Sequence, residues 1–236
     1  NLPYSNQNNE GYENKIADLF AKKLGNIPVI YSWYPMTSGF VRRTLDAKTC
    51  DLIVTFPAIH EFVQNSNPFY NSSYVLMSLE EKDIKIKTLS DPQIKEKKYK
   101  IGIISGTPPS SYVPKYKLFD QVKFYRQAAD PRKQKPWVDV TNDLVDGKID
   151  IGILWGPYAG YEAKKAKKPI KIVPLTKEEI TSRGKLVYRF TMGIRRNEPE
   201  WEKTINNLIK DNQEEINQIL RGYGIPLLDK LGNPLK

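Results

Sequence analysis

The stretch Leu144–Tyr161, LVDGKIDIGILWGPYAGY, limits the possible fold more than any other part of the chain. It holds the end of an amphipathic helix, a tight turn at Gly147-Lys148, and a short apolar run. That run is Ile149, Ile151, Ile153 and Leu154, broken only by Asp150 and Gly152. Such a run beside a helix predicts a strand covered on both faces, as in a parallel α/β sheet. Trp155–Tyr161 then reads as an aromatic loop at the carboxyl end of the strand, where open α/β sheets hold ligands.

The same unit occurs once earlier. Leu45–Ala58 reads LDAKTCDLIVTFPA. With one residue of slippage, Asp46-Ala47-Lys48 matches Asp146-Gly147-Lys148. Asp51-Leu52-Ile53-Val54 then matches Asp150-Ile151-Gly152-Ile153, and Pro57 matches Pro157. The copies lie about a hundred residues apart, too far for a solenoid repeat. That spacing predicts two α/β lobes of similar build with a ligand cleft between them.

The composition narrows the function classes. No apolar run approaches the length that crosses a bilayer. Cys50 is the single cysteine, so there is no internal disulfide and no cysteine-based metal or haem motif. A net charge of +10 raises nucleic acid as a partner. The lysines, however, are spread along the chain and no nucleic-acid-reading motif accompanies them. The small clusters Lys95-Lys97-Lys98-Lys100 and Lys164-Lys165-Lys167-Lys168 suit solvated helix ends, or steering toward an acidic protein.

Taken in order, the chain predicts a loop at 1–6, a helix from Glu13 stopped by Gly25, and a strand over Val29–Tyr34. A helix follows from Phe40 to Leu45, then the first copy of the repeated unit. Ser72–Leu79, Ile101–Ile104, Val122–Tyr125, Ile170–Leu175 and Tyr188–Arg195 read as strands, and Val138–Val145 as a helix. Glu80–Lys100 is polar and lysine-rich and reads as a crossing between lobes. Ser105–Ser111 suits a helix N-terminus able to hold a polar ligand group, or a plain cap. Pro199–Tyr223 reads as one long helix ended by Gly224 and Pro226. Lobe 1 is expected at 1–79 plus 188–236, and lobe 2 at 80–187.

That order of parts resembles a type 2 periplasmic solute-binding protein. More narrowly, the chain resembles the MxaJ/XoxJ proteins, encoded beside the PQQ-dependent methanol dehydrogenases of methylotrophs. The resemblance rests on Asn1–Asn6, Glu10–Asn14, Tyr31–Thr44 with Trp33, Pro35 and Gly39–Arg42, Cys50-Asp51-Leu52, Pro57-Ala58 and Pro68–Tyr70 with Ser72–Val75. Trp155-Gly156-Pro157, Ala159–Tyr161 and Met192–Arg196 complete it. The resemblance implies a two-lobed α/β fold, each lobe a mixed sheet flanked by helices, and a periplasmic location. It implies a non-catalytic accessory protein without a cofactor of its own. The partner would be the large subunit of the dehydrogenase, with a c-type cytochrome as a further candidate. The alternative is a transport receptor for a small ligand other than an amino acid. In the type 2 fold a strand ordinarily precedes the Leu2-Pro3-Tyr4 loop. It is expected to be encoded upstream of Asn1 and lost, cleaved or uninterpreted, with an upstream fusion partner such as a cytochrome as the alternative. Lobe 1 is then expected to show a gap or a borrowed strand.

Two departures from amino-acid-binding members bear on the ligand. Where those carry an arginine for the ligand carboxylate, Ile59-His60-Glu61-Phe62 stands here. Where they carry an aspartate for the α-ammonium, Trp155 stands here. A zwitterion in such a cleft would leave both charges unmet, at a cost of several kcal/mol each. The remaining cleft candidates are Tyr4, Trp33, Tyr34, Phe40, Tyr70, Trp155, Tyr158 and Tyr161, with Arg42 and Thr107 as polar members. Catalysis has little support. His60 is the single histidine, and Glu10, Glu13, Glu61 and Asp130 read as caps or surface charges.

Overall fold

The computed structural model describes residues 1–34, 38–58, 61–127, 134–178 and 184–235. The chain divides into two compact units. A central unit holds Asn1, Ser72–Val187 and Arg221–Lys236, and a flanking unit holds Leu2–Asn71 and Tyr188–Leu220. In this division Ser72–Leu79 and Arg221–Lys236 fall with the middle of the chain rather than with its ends.

The flanking unit opens with α1 (Tyr12–Lys23). Asn14 Oδ1 accepts the Gly11 N–H at 3.1 Å, which closes the helix N-terminus. Ile16, Phe20 and Ala21 form its buried stripe. Gly25, at φ 95°, takes the left-handed turn that stops it. Residues 29–34, expected as a strand, join no ladder among the described residues. β-branched content makes a strand only where a neighbour supplies hydrogen bonds, and Ile30 is instead 89% exposed. The helix expected at Phe40–Leu45 shortens to one turn, α2 (Phe40–Arg43). β1 (Leu52–Pro57) and β2 (Gln64–Asn65) follow.

β3 (Tyr70–Leu79) carries the chain into the central unit. There α3 (Gln93–Glu96), β4 (Ile101–Ile104), α4 (Tyr112–Lys115), β5 (Val122–Tyr125), α5 (Pro136–Val145), β6 (Ile151–Trp155), α6 (Gly156–Lys165) and β7 (Ile170–Pro174) succeed one another. The sheet runs β5-β4-β6-β3-β7. β4 is parallel to β5 and β6, while β3 is antiparallel to β6 and β7. One face buries Ile84, Ile86, Leu89, Ile94, Ile101, Ile103 and Ile151. The other packs α5 and α6 through Trp137, Val140, Leu144 and Ala159. Gly102 and Gly152 are ladder partners on β4 and β6. A Cβ on Gly152 would stand 3.0 Å from the Val140 side chain, and one on Gly102 would stand 2.7 Å from Ile149. The paired glycines let α5 lie close on the sheet.

Two expectations are corrected here. Trp155–Tyr161 is not a loop: Trp155 ends β6 and the next ten residues are α6. Pro157 sits in the first turn, where its fixed φ suits a helix and its missing N–H costs nothing. Gly160 sits where a Cβ would lie 1.7 Å from the Gly224 carbonyl oxygen, so this helix face packs backbone against backbone. The second correction is the long helix at 199–223. After β8 (Val187–Ile194) the chain forms α7 (Pro199–Asp211) and α8 (Gln213–Gly222) as two helices. Asn212, at φ −123°, breaks them, and its side-chain amide donates to Leu208 O at 2.8 Å.

In the flanking unit β8 lies between β1 and β2, antiparallel to both. At its end Arg195 donates to the Leu45 and Cys50 carbonyls at 2.6 and 2.8 Å and pairs with Asp51 and Glu198. No helix among the described residues is long and apolar enough to cross a membrane.

Candidate functional site

The carboxyl ends of β4 and β6, with the first turns of α5 and α6, enclose a cavity of about 270 Å³ in the central unit. Tyr74 on β3 and Trp155 on β6 are direct ladder partners, and their rings meet edge to face at 5.3 Å. Trp137 of α5 and Tyr158 of α6 stack at 4.0 Å and 13°. Ile104, Ile153, Leu154 and Pro136 complete the apolar wall, and Thr107 and Gln127 are the polar members. Among the described residues, no ionisable acid or base other than tyrosine lines it.

The segment after β4 is spent on itself. Thr107 Oγ1 donates to Ile104 O at 2.6 Å, Ser110 Oγ to Thr107 O at 2.7 Å, and Ser111 Oγ to Pro108 O at 2.7 Å. Those hydroxyl protons go to carbonyls of the same turn, and no side-chain oxygen caps the short helices that begin at Pro108 and Tyr112. One turn beyond Tyr158 on α6, Glu162 is buried. Burial pushes its carboxyl above the usual carboxylate range, while Lys165 and Lys135 pull the other way.

Of the residues named from the sequence, Thr107, Trp155 and Tyr158 meet at this cavity. Tyr161, one turn along α6, lies against Tyr223 with the rings 6.3 Å apart, and Lys165 caps its ring. The others belong to the flanking unit. Tyr4 leans on Tyr12 at 5.2 Å. Tyr70 is core: it is 5% exposed, stacks on Phe190 at 4.8 Å and shares a hydrogen bond with the Tyr12 hydroxyl. Burial pushes both phenols up. Phe40 packs on Phe56 at 6.0 Å. Trp33 is 44% exposed and stacks on Tyr31. Tyr34 accepts a hydrogen bond from Arg43, and Arg42 is exposed.

The acids weighed for catalysis are engaged locally. Glu10 bonds Asn6, Glu13 accepts from Ser5 Oγ at 2.6 Å, and Glu61 is exposed. His60 and Asp130 lie outside the described residues. No group of acids, histidines and cysteines among the described residues could hold a metal ion. Sequence reasoning missed Tyr74, Trp137 and Gln127. Tyr74 alternates outward on a strand already assigned. Trp137 follows a proline that marks a helix start, which is the signal that points a side chain toward the strand ends.

Known proteins place this geometry. No family model matches the chain. XoxJ from Methylobacterium extorquens AM1, a periplasmic binding protein, superposes with a TM-score of 0.78 at 36% identity, covering 98% of this chain and 96% of that one. MxaJ from Methlophaga aminisulfidivorans MPT gives 0.76 at 25% identity over 96% of each. By sequence, MoxJ of Methylorubrum extorquens is 25% identical over 96% of this chain and 78% of its own length. An ancestral cationic amino acid solute-binding protein shares the fold, with a TM-score of 0.63 at 19% identity. The architecture is that of the type 2 periplasmic binding proteins, as the order of elements implied. The chain belongs to the MoxJ, MxaJ and XoxJ family of periplasmic binding proteins and, like them, is a binding protein and not an enzyme.

Proposed function

We propose that the chain is a periplasmic accessory protein of methanol oxidation that acts on a PQQ-dependent methanol dehydrogenase through its aromatic cavity. The observation that carries this reading is the cavity wall: two tryptophans and two tyrosines, with no charged side chain among the described residues. Aromatic walls desolvate cheaply and offer large contact area, which suits an apolar side chain or loop of a partner. They do not suit a free amino acid, whose two charges would stay unmet. A cytochrome c remains a secondary candidate partner. The volume favours a second reading, a receptor for a small uncharged ligand, since about 270 Å³ lies at the lower edge of small-molecule sites.

Mixing the protein with the cognate dehydrogenase, and following complex formation and turnover across a range of salt, tests the first reading. A complex or an activity change is expected, weakened at least tenfold by Trp155→Ala. No complex and no change at any salt would sink it and leave the receptor reading.

A further inference from the structure

The two units differ in charge far more than in size. The central unit carries 26 lysines and arginines against 15 acids, the flanking unit 11 against 12. The excess gathers at one end of the central sheet. β4 and β6 begin there, β3 ends there and β7 begins there, as the pairings Ile101↔Ile151 and Leu79↔Ile170 require. Strands stand about 4.8 Å apart, so these four ends span about 15 Å. Asp150 anchors the row: it takes Lys82 Nζ at 2.6 Å and the Lys100 N–H at 2.9 Å. Lys168 pairs with Glu81 beside it, and the Glu80 N–H reaches Pro169 O at 3.0 Å. α6 delivers its basic last turn to the same end.

Around these tied residues, Lys95, Lys97, Lys98 and Lys167 are exposed and form no ion pair among the described residues. The cavity lies at the opposite ends of the same strands. We propose that this lysine end is a docking surface for the acidic face of a protein, separate from the aromatic cavity. Three features select that partner. Residues 80–100 and 164–171 contain lysine but no arginine, so the fork that grips phosphates is missing. None of the large apolar side chains left exposed lies in these segments, so there is no wedge for a lipid interface. The exposed rings that stack nucleobases are missing there too, since Tyr99 is packed on the core. Hydrated point charges without anchors suit fast, salt-sensitive encounter with carboxylates. The proposal concerns a different surface from the cavity and stands apart from the reading above.

The experiment uses the whole protein and a labelled twenty-residue poly-glutamate peptide at low salt. A dT20 oligonucleotide and vesicles of phosphatidylcholine with phosphatidylglycerol serve as rival probes. The triple reversal Lys95→Glu, Lys97→Glu, Lys167→Glu should weaken the peptide at least tenfold. The matched reversal Lys177→Glu, Lys185→Glu, Lys230→Glu, at the other end of the unit, should weaken it less than twofold. Circular dichroism checks that both variants keep their fold, and single reversals of the same lysines replace any triple that does not. Equal losses in the two sets would overturn the location. Tighter binding of dT20 or of the vesicles than of the peptide would overturn the partner.

Discussion

The two copies of the helix-turn-strand unit can now be compared atom by atom. In the second, the Gly147 N–H bonds Leu144 O at 3.2 Å and the Lys148 N–H bonds Asp143 O at 2.9 Å. In the first, the Lys48 N–H bonds Leu45 O and the Thr49 N–H bonds Thr44 O, both at 3.0 Å. The turns therefore align Leu45 with Leu144, Lys48 with Gly147 and Asp51 with Asp150. The one-residue slip expected from the sequence disappears, because the left-handed position is Lys48 in one copy (φ 57°) and Gly147 in the other (φ 73°). What differs is the support. The second turn closes a ten-residue helix and leads into a strand paired on both edges. The first follows a single helical turn, leads into a strand paired only with β8 among the described residues, and is clamped from outside by Arg195. Similar local sequence gives a self-sufficient motif in one setting and a dependent one in the other.

The largest effects should come from the shared anchor. Leu45 and Leu144 are both fully buried, and Leu→Ala at either should cost about 3 kcal/mol, read by urea denaturation. If Leu144→Ala proves nearly neutral, the two turns do not share an anchor. Next comes the clamp. Arg195→Ala removes charged donors from two backbone carbonyls, worth about 2 kcal/mol. Lys148→Ala in the other copy should cost much less, because Lys148 itself is largely exposed and water screens its ion pairs. Equal losses would erase the contrast between external and internal support.

A third comparison is pH-dependent. Hydrogen bonds from Lys123 and then Tyr125 hold the Asp143 carboxyl down to about 2. A carboxylate whose folded pKa lies below its unfolded one stabilises the fold above the unfolded value. That stability is lost as pH falls from about 4 toward 2. Asp143→Asn should therefore flatten acid unfolding of the protein in that window and change little near neutrality. The smallest effects lie at the turn itself. Gly147→Ala should destabilise by about 1 kcal/mol, whereas Lys48→Gly should be neutral or stabilise by a few tenths. A clear loss on Lys48→Gly would mean that the side chain, not the backbone, holds the first turn.

Much of this was legible in residues alone. Ile151, Ile153 and Leu154 mark a buried strand in any setting, because so short an apolar run has few other uses. The order of elements followed, and with it the type 2 fold. Three features resisted for physical reasons. Ile84, Ile86, Leu89 and Ile94 are core residues hidden among lysines, in a segment whose burial comes from the sheet it crosses. Gly156, Pro157 and Gly160 signal a loop by composition, and only the Gly224 backbone pressed against α6 explains a helix there. Residues 29–34 have strand composition without a partner strand among the described residues. At the cavity, Trp155 and Tyr158 were visible as aromatic residues after a strand. Trp137 was not, since its place depends on how α5 meets α6.

Ser72 Oγ donates to Pro226 O at 2.8 Å, Lys164 Nζ to Gly222 O at 2.6 Å, and Gly160 meets Gly224. Residues 221–235 thus complete a body whose other parts were made more than thirty residues earlier, and the flanking body likewise waits for residues 188–220. Neither half can mature while the ribosome is still at work on the middle of the message. The nascent chain must be kept from aggregating until residues 188–235 have emerged.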